Sequence, residues 1–188
     1  MSHLFDLGQG RSVHELADEH LATWGEMARA PDIARWFEWH QFSPSTLAEI
    51  RRLRGDWPEA VQQRLPQQRE LVVLDNSGAV VAGAVLAGYA CPVDWEIPSV
   101  EFAYAVHPDW RGNGIATDLL RTLPPWIESD VGTRHTWGGV CTTNTRSISL
   151  LTASDFDLIT TVDGCVGAND QRRHSCANRE KRYCWGHH

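Results

Sequence analysis

No C-x₂-C pair occurs in this chain, no basic block beyond the isolated RRLR at 51–54, and no long apolar run. Each absence removes a class of protein. Zinc sites usually announce themselves by paired cysteines, and the five here (Cys91, Cys141, Cys165, Cys176 and Cys184) are irregularly spaced. Their odd number also argues against a disulfide framework. The ligand types gathered near the end (Cys165, His174, Cys176, Cys184, His187, His188) are therefore read as buried or incidental side chains, and no metal is expected. A formal net charge of −7 excludes a nucleic-acid binder held by phosphate contacts. The most apolar stretch, Val80–Ala90, is too short to span a bilayer. The first residues, MSHLFDLGQGRSVHE, lack a basic region followed by an apolar one, so a cytoplasmic location is the expectation. Internal repeats and low-complexity segments are also missing, and 188 residues of ordinary globular composition fit one domain.

What is present falls into two patterns. The first 66 residues predict a helical region. Ser12 and Glu15 have capping-box spacing, and Leu16, His20, Leu21 and Trp24 recur at helical intervals. PDIARWFEWH from Pro31, a segment from Ser43 through Leu47, Ile50 and Leu53, and DWPEAVQQRL predict three further helices. From residue 67 strands take over. LVVL at 71–74, the turn DNSG and VVAGAVLAGY predict a hairpin, and VEFAYAV at 100–106 alternates as a strand. A helix is predicted through Ile115, Leu119 and Leu123, with Pro124-Pro125 expected to break or kink it. HTWGGVCT predicts a strand, NTRSISLLTASDF a helix, and FDLITTV and KRYCW closing strands. Strand–helix alternation after a hairpin implies a mixed α/β sheet.

Three features carry chemistry. In VHPDWRGNGIATDLL (106–120), Gly112 and Gly114 surround Asn113 between a strand and a helix. Such a turn leaves the first N–H groups of the helix open to an anion, with Arg111 adding charge. It is neither a Walker loop nor GxGxxG, since no G-K-[ST] follows and Thr117 holds the third glycine's place. Asn144 stands where a strand gives way to a helix, fit either to cap that helix or to bond an amide-containing ligand. Glu101 shares its strand face with Ala103 and Ala105, which leaves room beside a carboxylate able to act as a base.

The stretch VEFAYAVHPDWRGNGIATDLL resembles the acetyl-CoA-binding motif of the GCN5-related N-acetyltransferase (GNAT) family, Q/R-x-x-G-x-G/A, with Arg111, Gly114 and Ala116 in its defined positions. The stretch Asn144–Phe156 is similar to that family's helix after the fifth strand, at the right spacing. The resemblance covers residues 68–162 well. It implies a mixed, mostly antiparallel central sheet flanked by helices. The whole of 1–188 would be one domain: 1–66 a helical substrate side, 67–162 an acetyl-CoA-binding core, 163–188 a C-terminal segment. It also implies an enzyme, monomeric or homodimeric, that moves an acetyl group from acetyl-CoA to an amine of a small molecule or peptide. The alternative is a non-catalytic acyl-CoA-binding module on the same fold.

By the same resemblance, the pyrophosphate would rest on the N–H groups of Gly112, Asn113, Gly114, Ile115 and Ala116, beside Arg111. The pantetheine arm would run along Tyr104, Ala105 and Val106 toward Asn144 and Ser147, with Glu101 as base and the N–H near Val106 meeting the oxyanion. Two departures are visible. Leu151 fills the place of the family's usual Tyr acid, leaving Tyr104, Ser149 or water, and Asp155-Phe156 replaces the usual Gly-Phe. The acceptor pocket would draw on Trp36, Phe37, Trp39, Trp57 and Trp95, with Glu38, Asp56, Asp94 and Glu96 among them.

Overall fold

The computed structural model describes residues 2–34, 69–90, 97–162 and 182–187. The chain opens with strands, which corrects the expectation of a helical start. β1 (His3–Gly8) and β2 (Arg11–Glu15) form a hairpin whose turn residues Gly8, Gln9 and Gly10 all have positive φ. Ser12 to Glu15, read as a capping box, instead pair antiparallel with Leu71 to Leu74. Val13 becomes fully buried by that pairing. A cap is worth about 1 kcal/mol, less than burying one valine between two strands, so the tertiary contact overrides the local signal. The hairpin also supplies the opening strands that the first 15 residues hid.

The helical reading holds from Leu21. A 3₁₀ turn (Asp18–His20) leads into α1 (Leu21–Arg29), and α2 (Pro31–Ala34) follows. Trp24 packs against Gly83, where a Cβ would come within 1.7 Å of the ring, so only glycine fits there. The helices expected between 35 and 66 lie outside the described residues, as do all nine aromatic and acidic positions assigned to the acceptor pocket.

β3 (Arg69–Leu74) and β4 (Val80–Ala90) make the expected hairpin. Asp75 Oδ1 accepts from the N–H groups of Ser77 and Ala79 and from the Ser77 hydroxyl, which closes the turn. β5 (Pro98–Val106), α3 (Ile115–Val131), β6 (Thr136–Cys141), α4 (Thr145–Thr152), β7 (Asp157–Val162) and β8 (Arg182–His187) complete the order. α3 runs through Pro124 and Pro125 without ending, so of the expected break or kink the break does not occur. The two prolines cost the carbonyls of Leu120 and Arg121 their helical donors. Burial of Leu119, Leu120, Leu123 and Ile127, each at 1% exposure or less, outweighs that loss at roughly 1.5–3 kcal/mol per side chain.

The strands form one sheet in the order β1-β2-β3-β4-β5-β6-β8-β7. Every neighbouring pair is antiparallel except β5 and β6. One face packs on α3 and α4 through Phe102, Ile115, Leu119, Leu151 and Phe156. The other carries a smaller cluster in which Ala105, Val72 and Val85 meet Trp24, Met27 and Ile33. β5 therefore divides its side chains between two layers. Val100, Phe102, Tyr104 and Val106 face α3 and α4, and Ala105 faces α1, with Glu101 and Ala103 alternating onto that same side. Asp155, standing where the resemblance expects glycine, has φ +61, a left-handed conformation that aspartate tolerates better than most side chains.

Candidate active site

β5 and β6 pair only at their beginnings, through Val100 opposite Thr136 and Glu101 opposite Trp137. Beyond that point β6 keeps its full pairing with β8 and leaves β5. The gap is a narrow cleft of about 40 Å³ lined by Phe102, Ala103, Tyr104 and Gly138 to Cys141, with Asn144, Ser147 and Leu151 across it. Gly138 permits the approach of the two walls, since a Cβ there would lie 3.2 Å from the Phe102 carbonyl oxygen.

Tyr104 is the polar group at the heart of this cleft. Its ring stacks on Phe102 at 6.2 Å between centroids. Its hydroxyl is buried and makes no well-formed hydrogen bond among the described residues, although the Ser147 side chain lies within reach of it. Burial pushes the phenol up to about 12, against a smaller opposing pull from Ser147 and Arg146. Asn144 sits at the mouth, where its Oδ1 accepts from the Ser147 N–H at 3.2 Å and caps α4. Its amide nitrogen is left out of that bond. Leu151 is 1% exposed and lines the cleft as an apolar wall, so no acid comes from that position. Ser149 is exposed and is not among the lining residues, whereas Ser147 is.

Glu101 stands at the closed end of the split, opposite Ala87 on one side and Trp137 on the other, and half-buried. The alternation of β5 puts its side chain on the α1 side and that of Tyr104 on the α4 side. The two are thus on opposite faces of one strand, flanking the point where pairing stops.

The same strand delivers the chain to the glycine turn. After Val106, a 3₁₀ turn (Pro108–Trp110) leads to Arg111. Gly112 and Gly114 take φ of +81 and +73, and Gly114 caps α3 with no side-chain hydrogen bond. Gly112, Asn113 and Gly114 are exposed, Ala116 is half-buried, and Ile115 is buried in the core, so Ile115 could meet a ligand only through its backbone. Asn113 folds its side chain back onto the Trp110 carbonyl, leaving the open helix end uncovered. Ala105 is buried opposite Gly83, and Val106 ends the strand opposite Ala82.

Arg111 bonds the Val106 carbonyl through Nε at 3.3 Å and forms an ion pair through Nη1 with Asp32 of α2. That partner holds the Asp32 carboxyl below its usual range. A second arginine, Arg11 of β2, reaches the turn through the Asn113 carbonyl, and neither Asp32 nor Arg11 is legible in the sequence as part of this site. Each acts across roughly eighty to a hundred residues, and no local pattern carries that information. Gly138 and Gly139 were read only as part of a strand, and the close approach at Gly138 shows only once Phe102 stands opposite it. Among the described residues no group of three or more His, Cys, Asp or Glu is arranged for a metal ion, and no helix is long and apolar enough to cross a membrane.

A mixed sheet that opens between two parallel strands, beside a glycine turn at a helix start, is the architecture of an acyltransferase. The chain belongs to the GNAT acetyltransferase family: the acetyltransferase (GNAT) domain model matches residues 13–157. Among solved structures, it is similar to spermidine N-acetyltransferase from Vibrio cholerae in complex with CoA and spermine. That likeness has 14% identity over 95% of each chain and a TM-score of 0.65. Ribosomal-protein-S5-alanine acetyltransferase from Vibrio fischeri gives 12% identity, covering 95% of this chain and 92% of that one, with a TM-score of 0.65. Aminoglycoside N(6')acetyltransferase from Legionella pneumophila gives 11%, covering 94% and 91%, with a TM-score of 0.60. No curated protein matches the sequence. The chain is thus a GNAT-type acyltransferase by family.

Proposed function

We propose that this protein transfers the acetyl group of acetyl-CoA to an amine of a small molecule or peptide by direct attack. The observation that carries the reading is the parting of β5 from β6 beside the uncapped start of α3. The residues suit the co-substrate. Backbone N–H groups of 112–116 would receive the pyrophosphate with Arg111 at their edge. The edge of β5 at 104–106 is open to an extended arm, whose amides could meet Asn144 and Ser147.

In the reaction the amine nitrogen bonds to the carbonyl carbon, the C–S bond breaks with its electron pair going to sulfur, and the acetamide and CoA thiolate leave, the thiolate taking its proton from water. Glu101, on the α1 side, would take the proton from the amine, directly or through water. The N–H near Val106 would bond the oxyanion. Tyr104, on the α4 side, faces the leaving sulfur's end of the split. With a phenol near 12 against a thiol near 8.5, full proton transfer to the thiolate would cost roughly 5 kcal/mol. Tyr104 therefore serves as a hydrogen-bond donor to the thiolate and not as a proton source. Because Glu101 and Tyr104 flank one strand from opposite faces, amine and thiolate would enter and leave on opposite sides of the carbonyl.

The acceptor class rests on the family and on an acidic chain suited to cationic amines. The structural relatives include proteins crystallised with a polyamine or named for a protein amino acid or an aminoglycoside. The test is release of free thiol from acetyl-CoA across polyamines, aminoglycosides and peptide amino termini, with mass spectrometry of the product. Thiol release with at least one class is expected. CoA binding without release for any amine would favour the non-catalytic binding module, to which the apolar Leu151 lends some support.

A further inference from the structure

The Arg11 side chain is only 6% exposed, yet it carries a charge and lies at the edge hairpin, far in sequence from the turn it touches. Its Nη1 donates to the Asn113 carbonyl at 2.9 Å and its Nη2 to Asp118 Oδ2 at 2.7 Å. The remaining Nε has no hydrogen-bond partner among the described residues. A buried cation with one idle donor is costly unless its other contacts matter. Both contacts are at the glycine turn. Asp118 belongs to the first turn of α3, its N–H bonding the Gly114 carbonyl at 2.9 Å. Its Oδ2 lies 3.9 Å from where a Gly114 Cβ would stand, so this carboxylate borders the open helix end. A carboxylate there suits the helix dipole in the absence of ligand, but it opposes any anion arriving at the same N–H groups.

We propose that Arg11 is a positioning residue for the anion cradle: it draws the Asn113 carbonyl behind the turn and neutralises Asp118, so that the start of α3 can receive a pyrophosphate. The proposal rests on the acetyl-CoA reading of the site. It divides the labour between two arginines, Arg111 at the outer edge of the turn and Arg11 beneath it. Arginine suits the inner position because its planar fork reaches two diverging acceptors at once, which a lysine ammonium on one stem does not.

Calorimetric titration with CoA, with a thermal melt of each variant, tests this in a charge cycle. Arg11→Gln should weaken CoA at least tenfold by exposing the Asp118 charge to the pyrophosphate. Asp118→Asn alone should bind as tightly as the unaltered protein or tighter. Arg11→Gln/Asp118→Asn should regain affinity to within about threefold even if its melting temperature stays low, a rescue that a merely structural staple would not produce. If Arg11→Gln does not fold, Arg11→Lys, which keeps the charge and loses the fork, should bind several-fold more weakly. A double variant no tighter than Arg11→Gln, or an Asp118→Asn protein weakened threefold or more, overturns the proposal while leaving CoA binding itself intact. Absence of CoA binding by the unaltered protein would instead sink the acetyl-CoA reading, and this proposal with it.

Discussion

The two edges of β5 differ along the same nine residues. Toward β4 the strand is paired from Pro98 to Val106; toward β6 it is paired only at Val100 and Glu101. The β4 edge supports the fold, with Ala84, Leu86 and Ala87 buried at 1% exposure or less across the ladder. An unpaired edge is usually a liability for aggregation. Here it opens into a slot walled by Gly138, Gly139 and α4 instead of into solvent. The comparison teaches that function sits where pairing stops: the two proposed catalytic side chains flank that point, and the glycine turn begins where the strand ends.

The largest expected effect comes from closing the turn that this edge feeds. Gly114→Val forces a β-branched residue into φ +73, a strain of about 1–3 kcal/mol, and displaces the N–H groups of the cradle. CoA affinity measured by calorimetry should fall by about a hundredfold or more. An affinity within threefold of the starting protein would mean that the anion binds elsewhere. Next in size is Glu101→Gln, which keeps the strand pairing and removes the base. With a working acceptor, kcat/KM should drop about 10²–10⁴-fold and the acidic limb of its pH profile should vanish, while CoA affinity holds. A profile unchanged in shape would assign the proton to water or another group.

Legibility in the sequence follows the same division. The glycine turn, the β3–β4 hairpin, β5 and the Asn144 cap were readable because each is a local signal, set by glycine, by alternation or by an N-cap side chain. The β1–β2 hairpin was not. Ser12 and Glu15 carry a helix signature, and only the far strand at Leu71–Leu74 decides otherwise. Pro124 and Pro125 do not end α3 for a similar reason, since its apolar face outweighs two lost backbone bonds. At the site, Tyr104 was readable as one candidate among several. What distinguishes it from Ser149, a place in the cleft wall and a buried hydroxyl, exists only once β6 has parted from β5.

Tyr104→Phe sharpens that distinction with a smaller effect. If the hydroxyl steadies the departing thiolate, kcat should fall about tenfold to a hundredfold with KM for acetyl-CoA nearly unchanged. Because the phenol titrates near 12, it stays protonated throughout the working range, and neither limb of the pH profile should move. The melting temperature should change little, since the substitution removes a buried hydroxyl with no well-formed hydrogen bond among the described residues and only Ser147 in reach. A shifted basic limb would instead make Tyr104 a titrating acid, contrary to the donor role.

The smallest effect concerns the end of the open edge, where Arg111 is shared between the Val106 carbonyl and Asp32. The hydrogen bond from Arg111 lowers the Asp32 carboxyl from its ordinary 3.8, with burial opposing. The folded state thus favours the ionised form. The pair's contribution is present above about pH 3.8 and is lost as pH falls through the lowered value, so at neutral pH it is intact. Asp32 is 53% exposed, which limits the pair to under about 1 kcal/mol. Any anion that recruits the same guanidinium must compete with that carboxylate. Asp32→Asn should therefore tighten CoA by about threefold at neutral pH, the equivalent of roughly 0.6 kcal/mol. It should also steepen the loss of affinity with added salt, because the released charge then faces the ligand alone. Calorimetry at two salt concentrations reads both. Weaker binding in the variant would reverse the assignment, making Asp32 the group that aims Arg111 at the turn and not its competitor.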